Sequence, residues 1–94
     1  MPIEREKIRA ALLSKGFREG RSDHKYYYLF VDGRKVNVFT YLSHGSGYKE
    51  YSDGLVSKVA EQVGLVKKEF LEFVECPLTH EKHVALLRQR DRIK

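Results

Sequence analysis

The chain of 94 residues has no tryptophan, two prolines and a single cysteine. One cysteine excludes an intrachain disulfide. No run of about 20 apolar residues is present to span a bilayer, and the first residues lack the apolar segment of a signal peptide. We therefore expect a protein of the reducing cytoplasm with no membrane contact. The length excludes a two-domain enzyme and a deep substrate chamber, so we expect residues 1–94 to form one domain.

The basic residues are unevenly distributed. The chain has 18 Lys and Arg against 13 Asp and Glu, a formal charge of +5. Residues 5–35 hold nine basic and four acidic side chains, which accounts for the whole excess. Such a segment favours a polyanionic partner such as RNA, because each phosphate contact releases counterions. A solvated, mildly basic surface is the alternative interpretation.

Helical periodicity and turn signals divide the first half of the chain. Apolar residues at helical spacing predict a first helix from Pro2 to Lys15, ended by Gly16. A short strand around 17–21 follows, then strands over 24–31 and 34–42. The Asp32-Gly33 pair between the last two strands predicts a tight hairpin, because both turn residues need a positive φ.

The second half of the chain predicts helices. One begins near Asp53 and ends at Gly64, a second covers 65–74, and Thr79 caps a last helix that frays into the basic tail 88–94. The fold class is therefore α+β, with helices on one face of a three-stranded antiparallel sheet. The order α-β-β-β-α is that of the double-stranded-RNA-binding fold, here with additional C-terminal helices.

His24 is the most informative candidate for chemistry. It stands beside Asp23 at the start of a strand and is flanked by Arg21 and Lys25. Histidine can take and give a proton at neutral pH. RNA cleavage without a metal needs a base for the 2′-hydroxyl and cations for the phosphate, and Arg21, Lys25 and Lys35 are candidates for the cations. The alternative is a surface histidine bonded at a strand end.

Strand alternation separates two faces. His24, Tyr26, Tyr28 and Phe30 share one face, while Tyr27, Leu29 and Val31 share the other. If Leu29 and Val31 point inward, the Tyr26 face is open and its rings can stack on unpaired bases. If Tyr28 and Phe30 are buried instead, the aromatics only pack; we expect packing for Phe30 and leave Tyr26 open.

Several short runs occur together in one order. They are Lys15-Gly16-Phe17-Arg18, Ser22-Asp23-His24-Lys25-Tyr26-Tyr27, Asp32-Gly33-Arg34-Lys35-Val36, His44-Gly45 and the stretch GLVSKVAEQVGL over 54–65. In this order they resemble the HicA (YcfA-like) toxin family over residues 4–74. The resemblance implies a small double-stranded-RNA-binding-like fold, ribosome-independent mRNA cleavage and inhibition by a HicB-like antitoxin partner. Residues 75–94 form a C-terminal extension beyond that match.

The sequence departs from the family at the catalytic motif. Where the family has Gly-Ser-His, this chain has Arg21-Ser22-Asp23-His24. Either His24 fills the catalytic role after a shift of one residue, or Asp23 occupies that position and the activity is altered or lost. A slip of one residue in a strand moves a side chain to the other face. The alternative function is a non-catalytic RNA-binding or protein-interaction module.

Two weaker patterns complete the sequence analysis. Cys76, His80 and His83 have spacing that a metal could use, but we expect a buried thiol and solvent-facing histidines, with no metal and no cofactor. His44 lies in a glycine-containing loop that lacks the spacing of a P-loop. It is a second-rank candidate for RNA binding, and a flexible polar turn is the alternative.

Overall fold

The computed structural model describes residues 3–21, 26–42, 50–75 and 77–93. Over these residues the chain forms five strands of two to eight residues and four helices of eight to ten residues. In chain order they are β1 (Ile3–Glu4), α1 (Arg5–Ser14), β2 (Phe17–Glu19), β3 (Tyr26–Val31), β4 (Arg34–Tyr41), β5 (Glu50–Tyr51), α2 (Asp53–Gln62), α3 (Lys67–Val74) and α4 (His80–Gln89). Within these ranges, no helix is both long and apolar enough to cross a membrane.

The main sheet is antiparallel and has the strand order β2-β3-β4. A second, two-stranded sheet joins β1 to β5. The structure therefore confirms a mixed α+β protein with a three-stranded antiparallel sheet and four helices. The pair of strands β1 and β5 was not predicted.

The hairpin between β3 and β4 turns at Asp32 and Gly33, whose φ values are 52° and 78°. These values confirm the two-residue turn predicted from the Asp-Gly pair. A bulge follows in the ladder: Phe30 pairs with Lys35, but the next pair two residues back is Tyr28 with Phe39. The bulge places three β4 residues opposite Leu29 alone. Lys35 therefore stands opposite Phe30, where a regular ladder would place Asn37.

One face of the sheet packs against the helices. Tyr27, Leu29 and Val38 are fully or almost fully buried on that face. Their neighbours in the core come from every helix, because each presents an apolar stripe at helical spacing. The core includes Ile8, Leu12, Phe17, Val56, Val59, Val63, Phe70, Phe73 and Leu87.

Lys15 lies in this interior although it is charged. Only 8% of it is exposed, and its ammonium group donates hydrogen bonds to the carbonyl oxygens of Phe73 and Leu78, the second at 2.8 Å. A buried charge needs such partners. The helix periodicity correctly placed the Lys15 stem on the apolar face, and Gly16, with φ of 98°, ends the helix as predicted.

Some helix boundaries differ from the predictions. The first helix begins at Arg5 rather than Pro2, because Ile3 and Glu4 pair with Tyr51 and Glu50 as a strand. The third begins at Lys67 rather than at residue 65. Val66 precedes it in an extended conformation, and the Glu69 carboxylate accepts a hydrogen bond from its backbone nitrogen at 2.9 Å.

The C-terminal helix differs most from expectation. Thr79 caps it as predicted, since its hydroxyl accepts a hydrogen bond from the Lys82 nitrogen at 3.2 Å. The expectation of solvent-facing histidines is wrong for His83, which is fully buried and stacks on Phe17 with ring centroids 5.9 Å apart. The tail also does not fray at Arg88. The helix continues to Gln89, and Arg90 forms a two-bond ion pair with Glu69.

Candidate nucleic-acid interface

The sheet face opposite the helices carries an aromatic cluster, which we define as Tyr26, Tyr28, Phe39 and Tyr41. Strand alternation places the cluster there, because the residues between these positions, such as Tyr27 and Thr40, are fully buried on the other face. Phe39 and Tyr41 remain 45% and 38% exposed, and the other two rings are half-buried. This is the open alternative of the two arrangements that the sequence allowed.

The rings of the aromatic cluster contact one another across β3 and β4. Tyr26 and Tyr28 lie nearly parallel, with ring centroids 6.2 Å apart and an interplanar angle of 20°. Tyr26 meets the edge of Tyr41 at 5.1 Å, and Tyr28 meets Phe39 at 5.7 Å. Aromatic pairs are favourable at such separations. The cluster is therefore a continuous aromatic surface rather than a set of separate exposed rings.

Cations border the aromatic cluster toward the hairpin and β2. The Lys35 ammonium lies 4.6 Å from the Tyr28 ring centroid, and the Arg18 guanidinium lies 4.2 Å from that of Phe30. Both contacts are within cation–π range. A cavity of about 460 Å³ is lined by Arg18, Arg21 and Lys35, by Glu19 and Gly20, and by the rings of Tyr28 and Phe30. Positive charge and aromatic surface are thus adjacent on one face.

Glu19, the last residue of β2, forms an ion pair with Arg9. The Arg9 guanidinium donates to Glu19 at 2.6 Å and to the Tyr27 hydroxyl at 3.1 Å. The bond to Glu19 raises the pKa of Arg9, and burial raises the pKa of the Tyr27 phenol. Arg9 also lies 3.9 Å from Glu6, so it offsets only part of the negative charge that Glu19 brings to the cavity beside Arg18 and Arg21.

Three of the six site residues predicted from the sequence lie within the described parts of the chain. Arg21, Tyr26 and Lys35 belong to the same open face, with Arg21 and Lys35 lining one cavity. His24, Lys25 and His44 lie outside the described residues, as does Asp23. The proposed acid–base role of His24 therefore stays a prediction.

The sequence analysis did not identify several residues of this face. Arg18, Phe39 and Tyr41 were not proposed as site residues, and Phe30 was expected in the core. Phe30 is instead half-buried under the Arg18 side chain. The alternation within β4 already placed Phe39 and Tyr41 opposite the buried Val38 and Thr40. The location of Arg18 on this face depends on the pairing of β2 with β3, which no local sequence signal specifies.

The two C-terminal histidines bind backbone groups. The imidazole Nδ1 of His80 lies 2.9 Å from the Lys15 carbonyl oxygen, and Nε2 of His83 lies 2.8 Å from that of Val63. Burial lowers the pKa of His83, so its ring is neutral and donates to Val63. Among the described residues, no three His, Cys, Asp or Glu side chains converge as a metal site. Cys76 lies outside the described residues.

Comparison of the chain with protein-family models, with curated protein sequences and with solved structures found no match. The resemblance to the HicA family therefore rests on the sequence runs quoted above. The open face and its cations are the observations from which a function can be argued.

Proposed function

We propose that the protein binds single-stranded RNA across the open face of its three-stranded sheet. The observation that carries the proposal is the contact between the aromatic cluster and the cations, above all Lys35 over Tyr28 at 4.6 Å. Exposed rings stack on unpaired bases, and neighbouring Lys and Arg side chains neutralise the phosphates that link them. A duplex hides the flat faces of its bases, so this surface favours an unpaired strand.

The distribution of charge indicates the path of the bound RNA across the open face. The aromatic cluster occupies the β3–β4 side of the face, while Arg18 and Arg21 lie on or beside β2. Bases would stack on the cluster while the phosphate backbone passes Lys35 toward Arg18. The net charge of +5 supports the same partner, because it favours association with any polyanion.

Fluorescence anisotropy with a labelled ten-nucleotide RNA tests the proposal. Replacing Tyr28 by Leu keeps apolar volume and removes a stacking ring, which should cost about 1–3 kcal/mol of binding free energy. The matched control is Leu13→Ala, because Leu13 is an exposed apolar residue of α1 away from the sheet face. Equal affinity of Tyr28→Leu and the wild type, with both folded, would contradict the proposal.

A second candidate function is cleavage of the bound RNA. The specific observation is the location of Tyr26 on the open face. His24 lies outside the described residues, and the alternation predicted from the sequence alone assigns it to the same side as Tyr26. His24 would remove the 2′-hydroxyl proton. The 2′-oxygen would then attack phosphorus to form a 2′,3′-cyclic phosphate, and the leaving 5′-oxygen would take a proton from water as its bond to phosphorus breaks. Arg21, Lys25 and Lys35 would stabilise the charge on the phosphate.

His24→Ala separates binding from cleavage. It should abolish cleavage of a single-stranded transcript and retain RNA affinity, whereas equal cleavage by the variant would remove the mechanism. In cells, expression of the wild type should arrest growth, and a neighbouring reading frame that encodes a HicB-like antitoxin should relieve the arrest. RNA binding without cleavage or arrest would leave the non-catalytic module as the function.

A further inference from the structure

A second cavity opens at the other margin of the aromatic cluster, between β4 and α2. Its volume is about 530 Å³, within the usual range for small-molecule sites, which is roughly 300–1000 Å³. One wall consists of rings from the aromatic cluster, and the opposite wall consists of α2 side chains. The residues that matter for its chemistry are Tyr26, Phe39, Tyr41, Leu55, Lys58 and Gln62.

The ring wall is largely apolar and is built of rings tilted to one another by 51° and 67°, whereas the helix wall carries polar groups. Leu55, Lys58 and Gln62 follow one another at intervals of three and four residues, so they form one stripe along α2. Lys58 is exposed and brings a positive charge to the rim. A ligand with a planar, partly apolar ring and an attached anion matches both walls. An unpaired nucleotide has this combination.

Gln62 is held in one orientation by Thr40. The Thr40 hydroxyl donates a hydrogen bond to the Gln62 side-chain oxygen at 2.6 Å, and Thr40 is fully buried. Because the amide oxygen is used in this way, the amide nitrogen is the end of the Gln62 side chain that can donate to a ligand. Every base offers an acceptor for that donor, either a carbonyl oxygen, as in uracil, or a ring nitrogen, as in adenine.

We propose that this cavity is a subsite for one unpaired nucleotide of the bound RNA. The base packs on the Tyr26–Phe39–Tyr41 wall, the Gln62 amide donates to an acceptor on the base edge, and Lys58 pairs with its phosphate. The inference rests on the proposed binding of single-stranded RNA to the open face. It adds a hydrogen bond to the base edge and a phosphate contact that stacking on the aromatic cluster does not provide.

Gln62→Glu tests the hydrogen bond. The carboxylate still accepts from Thr40, so the fold should persist, but the donor to the base is lost. The measurement is the affinity for ten-nucleotide oligouridylate extrapolated to about 1 M salt, where the repulsion between the new charge and the phosphates is screened. We expect this affinity to fall about threefold or more, the usual effect of one hydrogen bond. Gln89→Glu makes the same change on exposed α4 and should leave the affinity unchanged.

Lys58→Met tests the phosphate contact without touching the core. It should lower the slope of the logarithm of affinity against the logarithm of salt concentration by about 0.7, the value for one phosphate contact to a single strand. Lys82→Met, at an exposed position of α4, is the control. Equal affinities of Gln62→Glu and Gln89→Glu at high salt, with Lys58→Met equal to its control, would overturn the subsite. If Tyr28→Leu still weakened binding in that case, the RNA-binding function would stand without the subsite.

Discussion

The ammonium nitrogen of Lys35 lies 4.6 Å from the centroid of the Tyr28 ring, although Lys35 is paired in the ladder with Phe30. The bulge between the two strands gives this diagonal contact, because it places Lys35 opposite Phe30, where a regular ladder continued from Tyr28 and Phe39 would place Asn37. The lysine therefore holds its charge directly above aromatic surface. A strand of RNA that stacks on the aromatic cluster meets that charge within the length of one nucleotide.

Lys35→Met should weaken RNA binding through loss of a phosphate contact. We expect affinity to fall about three- to tenfold at 0.1 M salt and the salt slope to fall by about 0.7. Anisotropy titrations at four salt concentrations measure both quantities, with Lys82→Met as the matched control. A loss of affinity with an unchanged slope would mean that Lys35 acts by supporting the Tyr28 ring rather than by binding phosphate.

Lys15→Met should destabilise the protein although it removes a charge from the interior. The ammonium group bonds the carbonyl oxygens of Phe73 and Leu78, and methionine leaves both acceptors without that donor. A buried polar group without a partner costs about 1–3 kcal/mol. Urea denaturation measures the change, and Lys7→Met, at an exposed position of the same helix, should change the free energy of unfolding little. Equal stability of the two variants would contradict the structural role of Lys15.

Stability should decrease as the pH falls through the range in which His83 titrates in the unfolded chain. Burial lowers the pKa of His83 in the folded state below its ordinary value of about 6.5. The unfolded chain therefore binds the proton first, and stability falls below about pH 7, by at most about 1.4 kcal/mol per pH unit. Urea midpoints between pH 8 and pH 5 measure the slope. His83→Gln retains a donor for the Val63 carbonyl and should reduce the slope of stability against pH. An equally steep slope in this variant would show that another group causes the pH dependence.

The ion pair between Glu69 and Arg90 should contribute at more acidic pH. The Arg90 guanidinium bonds both carboxylate oxygens, at 2.8 and 2.6 Å, and lowers the pKa of Glu69 to about 2. Its stabilisation is therefore present above about pH 4.5 and is lost as the pH falls toward 2. A double-mutant cycle with Glu69→Gln and Arg90→Met should give a coupling of about 1 kcal/mol at pH 7, because the pair is half-exposed. A coupling at pH 2 as large as that at pH 7 would contradict this assignment.

The hairpin and the alternation of its strands were predictable because their causes are local. Asp32 and Gly33 adopt the required positive φ values, and Val38 and Thr40 face inward as their spacing indicates. The start of the first helix was not predictable in this way. Ile3 joins a strand whose partner, Tyr51, is far along the chain, and this pairing overrides the helical tendency of the segment.

The candidate site shows the same division between local and distant causes. Alternation placed Tyr26 and Tyr28 on one face of the sheet, but it left open whether that face is exposed, because exposure depends on where the helices pack. Arg18 reaches Phe30 only because β2 pairs with β3 in one register, and Gln62 approaches β4 only because α2 packs there. His83 was misjudged for a related reason. Its burial follows from the packing of α4 against Phe17 and Phe73, which the spacing of histidines does not reveal.

Because the chain has no tryptophan, its tyrosine fluorescence can report on the open face. Ultraviolet emission from this protein comes from its six tyrosines, and three of them, Tyr26, Tyr28 and Tyr41, belong to the aromatic cluster. A nucleobase stacked on these rings would quench a large part of the total signal. Ligand binding can then be followed on the unlabelled, unmodified chain, and each tyrosine can be assigned its share of the quenching by replacing it with phenylalanine.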